Sequence, residues 1–109
     1  MAKGRLPGNP MQLLQQIQRL QEEMVKTKEM LAQETLTVTA GGGAITVVIT
    51  GDQRIRSIAI DPALISSGDV EMLQDLLVAA INQAIEQSQT YAAERLNALA
   101  GQMGLGGLL

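Results

Sequence analysis

Cysteine and histidine are both absent from this chain of 109 residues. Their absence excludes disulfides, thiol chemistry, zinc sites built from Cys and His, and catalytic triads that depend on a histidine base. No apolar stretch approaches the roughly 20 residues of a membrane span, and no apolar run of the signal-peptide kind follows Lys3 and Arg5. These absences favour a cytoplasmic protein without a membrane partner or a metal site.

Aromatic residues are nearly absent too, since Tyr91 is the only one. Hydrophobic residues still make up 46% of the chain, so its core must be aliphatic. A domain of this size buries only about 60–65% of the surface that its unfolded form exposes, and a lone copy is therefore marginally stable. The composition thus indicates one small domain that gains from a partner.

Charge is scarce and unevenly distributed along the chain. The formal net charge is −3. Seven cations face five carboxylates up to Ile60, whereas Arg95 alone faces six carboxylates from Asp61 onward. This asymmetry permits a locally positive face on an acidic protein.

Hydrophobic periodicity predicts an α+β fold, in which a helix, a three-stranded antiparallel meander and a second helix follow one another. Asn9 and Pro10 are suited to cap and begin the first helix, and Asp61-Pro62 ends the third strand. Asp69 is a suitable cap for the second helix. The predicted segments are a flexible lead-in (1–9), a single domain (10–100) with helices over 10–34 and 70–100 and strands over 36–40, 44–50 and 54–60, and a flexible Gly/Leu tail (101–109).

The predicted helices are too long for the sheet, and this mismatch predicts a homodimer with projecting helices. Helices of about 24 and 30 residues span roughly 36 and 45 Å, whereas the strands reach about 20–23 Å. A second copy would cover the overhanging apolar stripes and an open sheet edge. The alternative is a monomer whose helices fold back on each other. The candidate dimer contacts are Ile17, Met24, Leu31, Leu77, Ala80 and Ala84.

No set of residues suited to catalysis is evident in the sequence. Gly41-Gly42-Gly43 lacks the Gly-Lys-Ser/Thr that completes a phosphate-binding loop and fits a tight turn instead. Ser66 and Ser67 have no base to activate them. We therefore expect neither an enzyme nor a cofactor, a metal or a small-molecule substrate.

Five basic residues are candidates for contact with DNA phosphates. Alternation along a strand predicts that Arg54 and Arg56 point to the same side, and Arg19 and Lys26 are spaced to share one helix face, with Lys28 nearby. The alternatives are a solvated helix face, because Glu22 and Glu23 lie between these cations, and charges that protect a strand edge. The candidate DNA contacts are Arg19, Lys26, Lys28, Arg54 and Arg56.

Three segments resemble the YbaB/EbfC family of nucleoid-associated proteins. The Gln-rich segment Leu14–Met24 is similar to the family's first helix, and Ile58–Pro62 and Leu73–Ala84 are similar to its two other signatures. The last of these, with Asn82, is the most specific. The resemblance covers residues 10–100.

The resemblance implies a bacterial, cytoplasmic homodimer whose helices project from a shared sheet like the arms of tweezers. It further implies binding to DNA, association with the nucleoid and an influence on gene expression. The alternative is a dimeric interaction module whose helix arms grip another protein, which the acidic second helix and the apolar overhangs favour.

Overall fold

The computed structural model describes residues 10–102. A long helix leads into three strands, a short helix and a second long helix. The elements are α1 (Pro10–Gln33), β1 (Thr35–Ala40), β2 (Ile45–Thr50), β3 (Ile55–Ile60), α2 (Pro62–Ser66) and α3 (Val70–Gln102). The predicted α+β class and strand order are confirmed, and the bounds differ from the prediction by at most two residues.

The sheet is an antiparallel meander in the order β1-β2-β3. Leu36 pairs with Ile49, and Val47 pairs with Ile58, so these four side chains share one face of the sheet. The opposite face carries threonines from β1 and β2. The middle strand therefore supplies the centre of the core, and its Ile45, Val47 and Ile49 have no exposed surface.

Helix α3 packs across the inner face of β2 and β1. Ala80 and Ala84 are fully buried against this part of the sheet, in one cluster with Val38 and Val47. Small side chains let the helix backbone approach the strands closely, which explains alanine at these two positions. Strands β1 and β3 form the two edges of the sheet, and β3 is exposed along most of its length.

Both long helices continue past the end of the sheet, as the mismatch in lengths predicted. The strands have six residues and span about 20 Å, whereas the molecule is 72 Å long and only 25 Å and 16 Å across. Helix α1 contacts α3. We call α1 together with the part of α3 that follows Ser88 the arm. Thr27 and Leu31 are buried on the inner face of α1.

Helix α2 lies in the interval between the predicted third strand and the predicted second helix, to which the sequence assigned no element. The Asp61 carboxylate accepts a 2.9 Å hydrogen bond from the backbone N–H of Ala63, and Pro62 occupies the first turn. These are ordinary helix-start features, but the helix has only five residues. Asp69 caps α3 as expected, because its carboxylate accepts a 3.0 Å hydrogen bond from the N–H of Met72.

Two boundary predictions meet the limits of the described residues. The predicted tail begins at Gly101, but α3 continues through Gln102. The remainder of the tail and the predicted lead-in (1–9) lie outside the described residues.

Candidate nucleic-acid interface

Three of the five candidate DNA contacts lie at the base of the arm, where α1 meets the turn between β2 and β3. Lys28 lines a groove of about 360 Å³ together with Gly51 and Gln53 of this turn. Arg54 follows the turn directly and is exposed. Arg56 reaches α1, where its guanidinium donates a 3.3 Å hydrogen bond to the carbonyl oxygen of Ala32. Sequence segments more than 20 residues apart thus contribute cations to one region.

Arg19 and Lys26 lie on a different flank of α1. Residues two apart on a helix are separated by about 200° around its axis, so Lys28, although near Lys26 in sequence, lies on the other side of α1. The Lys26 ammonium lies 3.6 Å from the Glu23 carboxylate, and the lysine side chain is 70% exposed. Such a solvated pair contributes little to stability, which leaves Lys26 available to an anion.

Strand β3 contains a bulge that changes the argument for Arg54 and Arg56. Val48 pairs with Ser57 and Ile49 pairs with Ile55, so Arg56 is an extra residue without an opposite partner. A bulge interrupts the regular alternation of side chains between the two faces of a strand. Alternation therefore no longer supports the prediction that Arg54 and Arg56 point to the same side of the sheet. Arg54 also lies just outside the strand. What joins the two residues is their position beside the same end of α1.

A network of hydrogen bonds fastens this turn to both long helices. The N–H of Gly51 donates to the carbonyl oxygens of Leu31 (2.9 Å) and Glu34 (3.0 Å). The hydroxyl of Ser88, which is fully buried, donates to the carbonyl oxygen of Thr50 (2.7 Å). Gln53 has φ +65°, a strained value for a side-chain-bearing residue. The arm is therefore held in a defined position relative to the sheet.

A second contact at the base joins Glu34 to α3. Arg95 Nη1 lies 2.6 and 2.8 Å from the two carboxylate oxygens of Glu34, and the Tyr91 hydroxyl donates to the same carboxylate at 3.1 Å. The hydrogen bond from Arg95 is the main cause that lowers the pKa of Glu34, and the same bond raises the pKa of Arg95. Arg95 is thereby paired with a carboxylate of its own chain, unlike Lys28, Arg54 and Arg56.

The opposite flank of α3 is acidic. Glu86 and Glu94 line a groove of about 380 Å³ with Leu36 and Tyr91. These carboxylates would repel phosphates. At the turn one carboxylate, Asp52, lines the groove beside Lys28, and it is outnumbered by Lys28, Arg54 and Arg56, so the electrostatics favour an anionic partner there rather than on this flank. None of the residues in 10–102 form a group of three or more side chains able to hold a metal ion.

The six candidate dimer contacts fall into two groups in the structure. Ala80 and Ala84 are 0% exposed and Leu31 is 3% exposed within one chain, while Leu77 packs against the core. A side chain without exposed surface has nothing left to offer a second copy, so Ala80, Ala84 and Leu31 belong to the core of the single chain, whereas Leu77 keeps part of its surface exposed. Ile17 is 45% exposed and Met24 is half-buried.

The sequence alone did not identify the features that organise the base of the arm. Ser88 follows Ala80 and Ala84 at helical spacing on α3, and nothing local in the sequence links it to Thr50 or Gln53. The Glu34 contact with Arg95 joins residues 61 positions apart.

No helix among the described residues has the length and apolarity needed to cross a membrane.

A model of the YbaB/EbfC DNA-binding family matches residues 7–103 of the chain. A nucleoid-associated protein of Chloroflexus aurantiacus is 48% identical over 100 residues, which cover 92% of this chain and 98% of that protein. A nucleoid-associated protein of Acetivibrio thermocellus is 41% identical over 111 residues, covering 99% of this chain and 96% of that protein. The crystal structure of an uncharacterized protein from Helicobacter pylori has the same fold, with a TM-score of 0.68 and 24% identity over 89% of this chain and 98% of that chain. The chain belongs to the YbaB/EbfC DNA-binding family.

Proposed function

We propose that this protein binds DNA as a homodimer, mainly through contacts with phosphates, and acts at the nucleoid in the cytoplasm, where it influences nucleoid organisation and gene expression. Membership of a DNA-binding family and the two nucleoid-associated relatives support this proposal. The proposed phosphate contacts are supported mainly by one observation, the group of cations at the base of the arm.

The position of these cations suits recognition of a backbone rather than of bases. The side chains of Lys28 and Arg54 have no ion-pair or hydrogen-bond partner within the described residues, and Arg56 makes only one long bond to a carbonyl oxygen. Cations of this kind can neutralise phosphates without reading sequence. The acidic flank of α3 turns the approaching duplex toward α1 and the β2–β3 turn.

The free edge of β3 supports the homodimer. Ile55 and Ile58 are 39% and 40% exposed although they lie on the apolar face of the sheet, because α3 covers mainly β2 and β1. The strand contains no proline and only one charge, Arg56. Exposed, apolar edge strands of this kind readily pair with another strand.

The hydrogen-bond pattern specifies how a second copy would pair. The N–H of Asp61 donates to the carbonyl oxygen of Ala44 at 2.8 Å, so alternate residues of β3, Ser57 and Ala59, also bond toward β2. The N–H and C=O groups of Ile58 and Ile60 then face the free edge. Antiparallel pairing about a two-fold axis at Ile58 would satisfy them and form a six-stranded sheet.

Dimerisation doubles the number of cations that can reach one duplex. If about six phosphates are engaged, the logarithm of the binding constant should fall with the logarithm of salt concentration with a slope near −5. Among the described residues a single chain offers five candidate cations, Arg19, Lys26, Lys28, Arg54 and Arg56, which is fewer than these six contacts. The dimer and the phosphate contacts are therefore linked in this proposal.

Paired variants test the phosphate contacts. Arg54→Ala with Arg56→Ala should weaken binding to unrelated duplexes equally, because phosphate contacts carry no sequence information. Arg54→Lys with Arg56→Lys keeps both charges and should retain most of the affinity. Unchanged affinity in the alanine variant would remove both residues from the interface.

The groove on the acidic flank favours a second candidate function, a protein-interaction module. Leu36 and Tyr91 supply apolar surface between Glu86 and Glu94, which suits a basic segment of another protein. In a co-purification experiment after nuclease treatment, recovery of one specific protein with the wild type would favour this function over DNA binding. That recovery should be lost in the variant that combines Glu86→Gln with Glu94→Gln.

A further inference from the structure

The N-terminal half of α1 has an apolar stripe that is open to solvent. Met11, Leu13, Leu14 and Ile17 are 63%, 38%, 49% and 45% exposed. Leu13 and Ile17 continue, at helical spacing, the same face that carries the buried Thr27 and Leu31 nearer the sheet. One face of α1 is thus interior at the base of the arm and open at its tip.

The lengths of the two helices explain why the tip is open. Leu31 and Leu96 line the same groove and therefore lie at a similar level in the arm. From Leu96 the described part of α3 continues only to Gln102, about 9 Å, whereas α1 extends back from Leu31 to Pro10, about 31 Å. The first helix therefore outruns the described end of α3 by roughly 20 Å.

The tip, defined as residues 10–18, differs in charge from the rest of α1. It has no charged residue, whereas residues 19–33 carry Arg19, Glu22, Glu23, Lys26, Lys28 and Glu29. An uncharged surface of Leu, Ile, Met and Gln is unsuited to phosphates. Two identical tips, however, can meet without repulsion between like charges, and an antiparallel arrangement also opposes their helix dipoles.

We propose that the tip is a self-association surface, where α1 helices from two dimers pair antiparallel, with Leu13 of one copy against Ile17 of the other. The pairing would join two DNA-bound dimers and so bridge two duplexes. Its effect on DNA rests on the function proposed above, while the pairing itself rests only on the exposed stripe.

The area of the tip decides how strong this pairing can be. Fully burying an aliphatic side chain removes roughly 100 Å² of apolar surface from water, and the four side chains are about half exposed. Two tips then bury roughly 400 Å² of apolar surface, well below the roughly 1,200 Å² of a stable interface. The pairing is therefore weak in free solution and becomes effective when DNA holds several dimers close together.

A bridging assay tests the proposal on the full-length protein. One duplex is fixed to beads, the protein is added, and the recovery of a second, labelled duplex is measured. The wild type is expected to recover it. Leu13→Gln with Ile17→Gln should reduce recovery about tenfold or more, because bridging needs two tips, and should leave affinity for a single duplex within about twofold, because no phosphate contact is changed.

A matched control lies on the same helix. Val25 and Met30 are 56% and 51% exposed and lie outside the tip, so Val25→Gln with Met30→Gln removes as much exposed apolar surface but should leave bridging unchanged. Equal recovery by the tip variant and the wild type would overturn the proposal. So would bridging that appears only after removal of residues 103–109, because the chain's own tail would then be the occupant of the stripe.

A measurement without DNA separates this inference from the proposed function. At millimolar concentration the wild type should form assemblies of four or more chains in sedimentation equilibrium, because each dimer carries two tips, and the tip variant should not. If DNA binding is absent but these assemblies form, the proposed function fails and the tip pairing stands. If DNA binds without bridging and without assemblies larger than the dimer, the tip pairing is wrong and the proposed function stands.

Discussion

The buried hydroxyl of Ser88 donates a hydrogen bond to the carbonyl oxygen of Thr50 at 2.7 Å and accepts one from Gln53 Nε2 at 2.9 Å. This contact joins the middle of α3 to the end of β2, 38 residues earlier in the chain. It lies where the sheet ends and the arm begins. Ser88 therefore helps to determine the direction of the arm as well as the stability of the fold.

We predict that Ser88→Ala destabilises the protein by about 1–3 kcal/mol, because it removes both buried hydrogen bonds of the Ser88 hydroxyl, to the carbonyl of Thr50 and from the side chain of Gln53. Urea unfolding followed by circular dichroism measures this change. Ser66→Ala is the matched control, since its hydroxyl bonds to the carbonyl of Pro62 at an exposed site. Equal stabilities of the two variants would contradict the structural role given to Ser88.

Gly51 provides a second test of the junction. A Cβ atom at this position would lie 2.8 Å from the carbonyl oxygen of Leu31, so Gly51→Ala should displace α1 from the turn and lower stability by roughly 1–3 kcal/mol. Gly101 lies within α3, and a Cβ there meets nothing within 4 Å. Gly101→Ala should instead leave stability unchanged or raise it by up to about 1 kcal/mol. Thermal unfolding should show a lower melting temperature for Gly51→Ala but not for Gly101→Ala. An equal decrease in both variants would contradict the close contact at Gly51.

The contact between Glu34 and Arg95 predicts a dependence of stability on pH. The pKa of Glu34 is lowered in the folded state, mainly by the hydrogen bond from Arg95. The contribution of Glu34 to the free energy of unfolding is therefore fully present above the usual glutamate pKa. It is lost as the pH falls through the lowered pKa of the folded state. The difference in melting temperature between wild type and Glu34→Gln should be largest near neutral pH and should shrink below about pH 4.

The solvent exposure of this pair limits the expected effect. Its side chains are 28% and 35% exposed, so added salt should weaken the difference. Glu29→Gln removes a carboxylate that has no cation partner among the described residues and should show no comparable change. A difference that grows as the pH falls would contradict the assignment.

The free edge of β3 predicts which substitution separates the two copies. Ile58→Glu would place two carboxylates opposite each other at the two-fold axis, where like charges destabilise strand pairing. The wild type should sediment at twice the 11.6 kDa mass of the chain, and the variant at the mass of one chain. Ile65→Glu changes a residue on α2 that is 60% exposed and should leave the dimer intact. A dimer that persists in Ile58→Glu would place the interface elsewhere.

Periodicity was sufficient to predict the main elements. The pattern of residues 44–50 predicted β2, and the lengths of the helices predicted the overhang. The five-residue helix α2 is too short for a periodic signal, although Asp61-Pro62 has the chemistry of a helix start. Regular alternation also could not show the bulge at Arg56, because the extra residue is defined only by pairing with β2.

The candidate interface was less predictable than the fold. Ala80 and Ala84 have the small side chains that suit close helix contact, but the same property suits close packing on a sheet, and the structure shows the latter. Lys28 meets the β2–β3 turn, which Arg54 follows directly in the chain, only through the tertiary contact between α1 and Gly51 and Gln53 of this turn. The sequence showed which residue types are present. Whether such residues pack in the core of one chain or on a surface that meets a partner depends on long-range packing, which local patterns do not reveal.

The central claim, that the protein binds DNA phosphates as a homodimer, is tested most directly by a binding titration across salt concentration with the mass of the protein measured in parallel. We predict a species of two chains whose binding constant falls with a slope near −5 on logarithmic axes, as expected for about six phosphate contacts. Affinity that does not change with salt, absence of binding even at low salt, or binding by a single chain would contradict this account.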